Sequence, residues 1–186
     1  MLAKTKLGDY IELSELKNSD NRYTLENLKG ISIQKVFIDT KADMGGVSLS
    51  PYLIVKPDYF SYVTVTSRNG EKITIAHNDT KETFIVSSSY VVFSVKPNDI
   101  LLSDYLFMYF NRPEFDRYAR FNSWGSARET FSWDDMCDIQ LQLPPINIQK
   151  KYARIFMALG ASEAFRQRLR DICPILIKGS LEEASA

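Results

Sequence analysis

The pair Pro144-Pro145 constrains this chain more than any other feature. Consecutive prolines offer no backbone N–H, so no helix interior or strand ladder continues through them. The character of the chain changes at this point. Before the pair lie short extended runs and short helical pieces; after it a single helical segment runs toward Pro174. Within that segment Ile148, Tyr152, Ile155 and Leu159 follow a 4-3-4 spacing, one face of a helix, and Leu169 and Ile172 return near the same face. Asn147 is the expected N-cap. A helix over 147–172 would be about 39 Å long. The apolar face has two readings: it lies against its own domain, or it projects and pairs with another helix.

Upstream, period-two alternation dominates. LGDYIEL at 7–13 reads as a strand, 30–33 begins another extended piece, 38–50 is a polar surface loop, and 52–56 is a short strand. In YVTVTSRNGEKITIA, residues 62–76, two alternating runs flank Asn69-Gly70, the preferred pair for a type I′ turn, which predicts a hairpin. Residues 83–86 and 90–95 add two strands. Helices follow at 104–111, capped by Asp99 or Ser103, and from Pro113, which suits a first helical turn. Ser132 caps a short turn before a last strand over 139–143. The expected fold is α+β: a mixed, mainly antiparallel β domain with short helices over 1–145, a long α-helix over 146–173 and a short tail over 174–186.

Composition removes several classes. Basic and acidic residues balance at 23 each, so no global charge announces a nucleic acid or a membrane. The single histidine, His77, cannot build a multi-histidine metal site, and two distant cysteines, Cys137 and Cys173, cannot build a zinc finger. Both cysteines read as reduced thiols, and the absence of an apolar leader or spanning run makes a cytoplasmic protein the expectation. No GxxxxGK[ST] phosphate loop is present.

Two chemistries remain. Asp58 after Pro57, with Asp79 and Lys81, matches the spacing of a metal-dependent PD-(D/E)xK nuclease, though Asp79-Thr80 also reads as ordinary turn chemistry. The polar loops carry Lys35, Lys41, Arg68, Asn69, Lys72, Lys81, Arg120, Ser126 and Arg128, with Tyr62, Tyr90 and Trp124 close by in sequence. Lysines and arginines hold phosphates, and Arg, Asn and Ser read base edges.

The stretch GSARETFSWDDMCDIQLQLPPINIQKKYARIF, residues 125–156, resembles the specificity subunit of type I restriction-modification systems. The resemblance rests on Gly125, Ser126 and Arg128 in a loop before a short helix, on Leu143-Pro144-Pro145 ending a strand, and on Gln149 opening a long helix. LGDYIEL, GISIQK at 30–35, YLIVKPDYF at 52–60, IVSSSYVVFSV at 85–95 and DYLFMYFNRPEF at 104–115 follow in the family's order. The resemblance implies a non-catalytic target recognition domain that reads one half of a split double-stranded DNA sequence. It implies a spacer helix that docks methyltransferase (M) and restriction (R) subunits. S-adenosylmethionine and ATP belong to those partners, so no cofactor is expected here. Complete members carry two recognition domains and two helices. This chain carries one of each, so it looks like a half-subunit that homodimerises through Ile148, Tyr152, Ile155, Leu159 and Leu169. The expected DNA-binding residues are Arg128 and Ser126 in the family loop, Arg68, Asn69 and Lys72 at the hairpin tip, and Lys35 and Lys41 as phosphate contacts. A third possibility is an interaction module that docks on the methyltransferase without reading DNA.

Overall fold

A computed structural model describes residues 4–40, 46–66, 72–97, 99–126 and 128–183, with position 164 and residues 168–183 as backbone alone. Among the described residues the chain runs β1 Lys4–Lys6, β2 Ile11–Ser14, β3 Lys29–Ile31, β4 Phe37–Asp39, β5 Leu53–Val55, β6 Phe60–Val63, β7 Ile75–His77, β8 Phe84–Val86 and β9 Tyr90–Val95. It continues through α1 Ser103–Phe110, α2 Pro113–Phe121, α3 Trp133–Cys137, β10 Gln140–Gln142 and α4 Ile146–Glu183. The four-stranded sheet has the order β2-β9-β6-β7, and three two-stranded ribbons pair β1 with β10, β3 with β4 and β5 with β8. Every one of these pairings is antiparallel. The α+β expectation of short antiparallel strands, short helices and a long final helix is met.

The core is aromatic. Phe60 on β6 and Phe93 on β9 sit opposite each other and stack with centroids 5.0 Å apart. Phe110 at the end of α1 meets both rings edge-on. Phe115 of α2 and Phe131 extend the cluster, and all five side chains are fully buried. Each such ring pair adds about 0.5–1.5 kcal/mol beyond the area it buries. The β5–β8 ribbon is covered on both faces, because successive side chains point opposite ways. Leu53, Val55, Phe84 and Val86 join Val92 on one side, while Ile54 and Ile85 join Leu28 on the other.

Local signals set several boundaries. Pro113 opens α2 at its first turn. Ser132 caps α3 in a reciprocal box, its Oγ accepting from Asp135 N at 3.0 Å while Asp135 accepts from Ser132 N. Other boundaries differ from the pattern. Residues 7–9 form one 3-10 turn, and the strand expected over 7–13 begins only at Ile11. This turn presses on α3: a Cβ on Gly8 would lie 2.8 Å from the Cβ of Cys137. Helix α1 begins at Ser103, with Leu102 rather than Asp99 or Ser103 at the cap position and no side-chain cap. The Ser103 hydroxyl instead donates to Asp58 Oδ2 at 2.9 Å.

The predicted hairpin is present as β6–β7, with a shifted register. A two-residue loop at Asn69-Gly70 would place Tyr62 opposite His77, whereas Phe60 occupies that place. The turn itself lies outside the described residues. After β6 the chain changes partner: Phe131 N donates to Thr64 O at 2.8 Å, and Thr66 N donates to Glu129 O at 2.9 Å. Backbone pairing with a segment about 65 residues away competes with the hairpin's own ladder, and a sequence window does not contain that competitor.

Helix α4 starts at Ile146, where the Pro145 carbonyl accepts from Ile148 N and Gln149 N; Asn147 lies inside the first turn, not at the cap. It runs past Pro174 to Glu183 instead of ending before that proline. Proline removes one ladder bond, but its fixed φ near −65° is itself helical. Ala153 is buried, and Phe156 meets Phe107 of α1 edge-on at 6.2 Å. No described helix is long and apolar enough to cross a membrane.

Candidate nucleic-acid interface

The backbone exchange at 64–66 builds a platform from three separate parts of the chain. Val65 bridges to Thr130, and Thr130 bridges in turn to Trp124, closing a small loop over 124–130. Gly125 makes that closure possible. Its φ is +141°, and a Cβ there would sit 2.2 Å from the Arg128 carbonyl oxygen, so no other residue fits. The loop holds Ser126 and Arg128 exposed, and Trp124 is 67% exposed. An Arg120–Glu129 ion pair ties it to the end of α2.

Beside this loop runs a groove of about 620 Å³, lined by Lys72, Arg117, Arg120, Phe121, Pro113 and Ile33 among others. Phe121 is 78% exposed, the most exposed large apolar side chain among the described residues. Of the expected residues, Lys72 lines this groove with Arg117, Arg120 and Phe121, and Ser126 and Arg128 lie exposed with Trp124 in the loop that the Arg120–Glu129 ion pair ties to α2. The platform offers cations for phosphates, donors for base edges and flat rings for stacking.

Lys35 is a correction. It is almost fully buried, with its ammonium donating to Phe110 O at 2.5 Å and to Asp116 Oδ1 at 2.7 Å, above the Phe115 ring. Burial pushes its pKa down, Asp116 opposes that, and the charge of Lys72 adds to the depression. Asp116 Oδ1 also accepts from Ile73 N at 3.1 Å. This pair binds the turn before β4, the end of α1, helix α2 and the chain entering β7 into one wall of the groove. Lys35 is thus buried in the wall of the groove, not exposed as a phosphate contact. Lys41, Arg68 and Asn69 lie outside the described residues.

The nuclease geometry is not assembled. Asp58, at φ +67°, has Oδ1 at 2.9 Å from His77 Nε2 and Oδ2 accepting from Ser103. Burial pushes its carboxyl up, but the hydrogen bonds from His77 and Ser103 outweigh that and hold it below the ordinary range. Asp79 and Lys81 are exposed. Among the described residues no three His, Cys, Asp or Glu side chains converge to hold a metal ion. His77 is buried against Phe60 and hydrogen-bonded to Asp58. Cys137 is half-buried, and burial pushes its thiol up.

On α4 the buried residues Gln149 and Ala153, with half-buried Phe156, form a face one position away from the apolar stripe. That stripe turns outward: Tyr152 is 51%, Ile155 49% and Leu159 61% exposed, while Ile148 is half-buried. The Leu169 side chain lies outside the described residues.

Sequence reading missed Arg117, Phe121 and the part played by Asp116. The signal was present in α2, where Phe115 and Ala119 mark the inner face and leave Phe121 on another side.

The mixed antiparallel domain continued by a long helix is a fold shared with solved structures. The HsdS subunit from Thermoanaerobacter tengcongensis matches with a TM-score of 0.61 at 16% identity, covering 90% of this chain and 44% of that one. The type I restriction-modification S subunit from M. genitalium matches at 0.57 and 12%, covering 94% and 43%. A structure describing complex assembly and conformational transition of the type I R-M system matches at 0.51 and 14%, covering 89% and 40%. The chain thus spans less than half the length of these solved relatives. No curated protein matches it. The family of type I restriction modification DNA specificity domains matches residues 5–172, and the chain belongs to that family.

Proposed function

We propose that this chain recognises one half of a split double-stranded DNA sequence and directs a type I methyltransferase subunit and a restriction subunit to it. The observation that supports this reading is that, within a DNA specificity domain, a groove lined by Lys72, Arg117, Arg120 and Phe121 is tied through the Arg120–Glu129 ion pair to the loop that carries the exposed Trp124, Ser126 and Arg128. On this reading Lys72, Arg117 and Arg120 would hold phosphates, and Ser126 and Arg128 would read base edges. The chain itself is non-catalytic; methyl transfer with S-adenosylmethionine and ATP-driven steps belong to the partner subunits.

The outward stripe of α4 supports pairing with a second copy. Two helices joined through Tyr152, Ile155 and Leu159 would bury residues that the monomer leaves about half exposed, and a two-fold pair would present two recognition platforms. Light scattering at tens of micromolar checks this: a monomer rejects the pairing.

Methylome sequencing of cells expressing the chain with its methyltransferase subunit tests the function. A palindromic split motif supports recognition by a symmetric pair, and an asymmetric motif requires a second, different specificity chain. A stable complex without any motif rejects DNA recognition in favour of a docking module. Arg128→Ala should weaken binding by about 1–3 kcal/mol and relax specificity at one position, in a binding assay against a target library. Unchanged preference would remove Arg128 from the base-reading set.

A further inference from the structure

At the root of α4 one side chain makes three hydrogen bonds. Gln149 is fully buried. Its Nε2 donates to Ile100 O at 2.6 Å and to Pro144 O at 2.8 Å, and its Oε1 accepts from Leu102 N at 3.1 Å. The groups it meets belong to two corners of the chain. Pro144 lies between β10 and α4, next to a second proline that has no N–H to offer. Ile100 and Leu102 lie just before α1, which has no side-chain cap of its own. One amide thus joins the start of α4 to the start of α1. Beyond it only Ala153 and Phe156 of the described side chains on α4 are buried or half-buried.

We infer that Gln149 is a positioning residue, a rigid joint that sets the direction of α4 relative to the recognition platform. Its importance follows from leverage. From Phe156 to the end of α4 is roughly 40 Å at 1.5 Å per residue. A tilt of about 10° at the root therefore moves the far end by about 7 Å, close to two base-pair steps of 3.4 Å. Two apolar contacts restrain such a tilt weakly, because hydrophobic contact is non-directional. Three hydrogen bonds with fixed donors and acceptors restrain it strongly. Resting on the proposed DNA reading, the joint also fixes the distance between the half-sites that a pair of chains accepts.

The test uses the full chain with Cys137→Ser and Cys173→Ser and with spin labels at Lys56→Cys and Ser162→Cys, diluted into unlabelled protein. Pulsed dipolar spectroscopy reads the distance between domain and helix. The parent protein should give one narrow distribution, and Gln149→Met, which keeps length and removes the hydrogen bonds, a clearly broader one. Gln149→Glu, which keeps the acceptor and loses both donors, should broaden it as well. A core variant matched in melting temperature, Ile75→Val, should leave it narrow, separating the joint from general loosening. Equal widths in the parent and Gln149→Met, narrow or broad, overturn the inference.

A second readout separates the joint from the DNA reading. In the methyltransferase complex, a plasmid library varies the spacer of the split target one base pair at a time. Gln149→Met should cut about tenfold the preference for the correct spacer over its neighbours, the scale expected when buried hydrogen bonds are lost, with the half-site sequences unchanged. A broadened distance with no split motif in the parent complex upholds the joint and rejects DNA recognition. A narrow distance in Gln149→Met with a motif in the parent rejects the joint alone.

Discussion

The sheet domain and the final helix bury themselves in opposite ways. In the domain one side chain is covered from several elements: Phe93 of β9 meets Phe60 and Tyr62 of β6, Phe110 of α1 and Trp133 of α3. Helix α4 is held near its root by Gln149, Ala153 and Phe156, and its apolar stripe faces outward. The domain is stabilised by its own packing. A helix gains most of its stability from packing an amphipathic face, so the outer part of α4 depends on what covers it. The two regions thus differ in what covers them: the sheet domain is covered by its own elements, whereas the stripe of α4 is covered by nothing among the described residues.

The largest effect should come from breaking the self-sufficient side. Phe93→Ala removes a ring at the centre of the aromatic cluster and should cost about 3–5 kcal/mol in urea unfolding. Asp116→Ala leaves the buried Lys35 ammonium without its carboxylate and Ile73 N without its acceptor, and should cost about 3 kcal/mol by the same measurement. Little change there would mean that the wall of the groove does not depend on this pair.

On the helix side the sign of the comparison reverses. Ile155→Glu should leave the stability of the domain within about 0.5 kcal/mol, as an exposed substitution does, while light scattering shows the paired species lost. Loss of domain stability instead would place the stripe inside the fold. Ser132→Ala removes the cap of α3 and should cost about 1 kcal/mol. The smallest effect is on pH dependence. The folded Asp58 carboxyl is held below its ordinary value, so its contribution is present above the ordinary carboxylate range and is lost as pH falls through the folded pKa. Asp58→Asn should flatten the decline in stability on the acid side of that range, followed by thermal melts across pH. An unchanged slope would show that His77 and Ser103 do not hold the charged form.

Legibility differed by the reach of the interactions. Pro113, Ser132 and the strands within 52–56, 83–86 and 90–95 were read correctly because their causes lie within a few residues. The hairpin was legible as a pair of strands but not in register, since residues 129–131 claim the chain after Val63. Lys35 looked like a surface cation because nothing adjacent to it is acidic; its partner Asp116 is 81 positions away. Ser126 and Arg128 were singled out through the family loop, whereas the exposure of Phe121 emerged only when α2 showed which of its sides is buried.

Sequence alone determined the start of the last helix after Pro144-Pro145, the α+β class and the 4-3-4 stripe, because periodicity, caps and proline act over one or two turns of chain, and it pointed to the family through the order of its motifs. Tertiary structure decided which side of α4 turns outward, which lysine is buried, and that Gln149 joins two distant corners. Those outcomes depend on competition among groups far apart in sequence, and a buried donor or acceptor finds its partner only when the chain has closed around it.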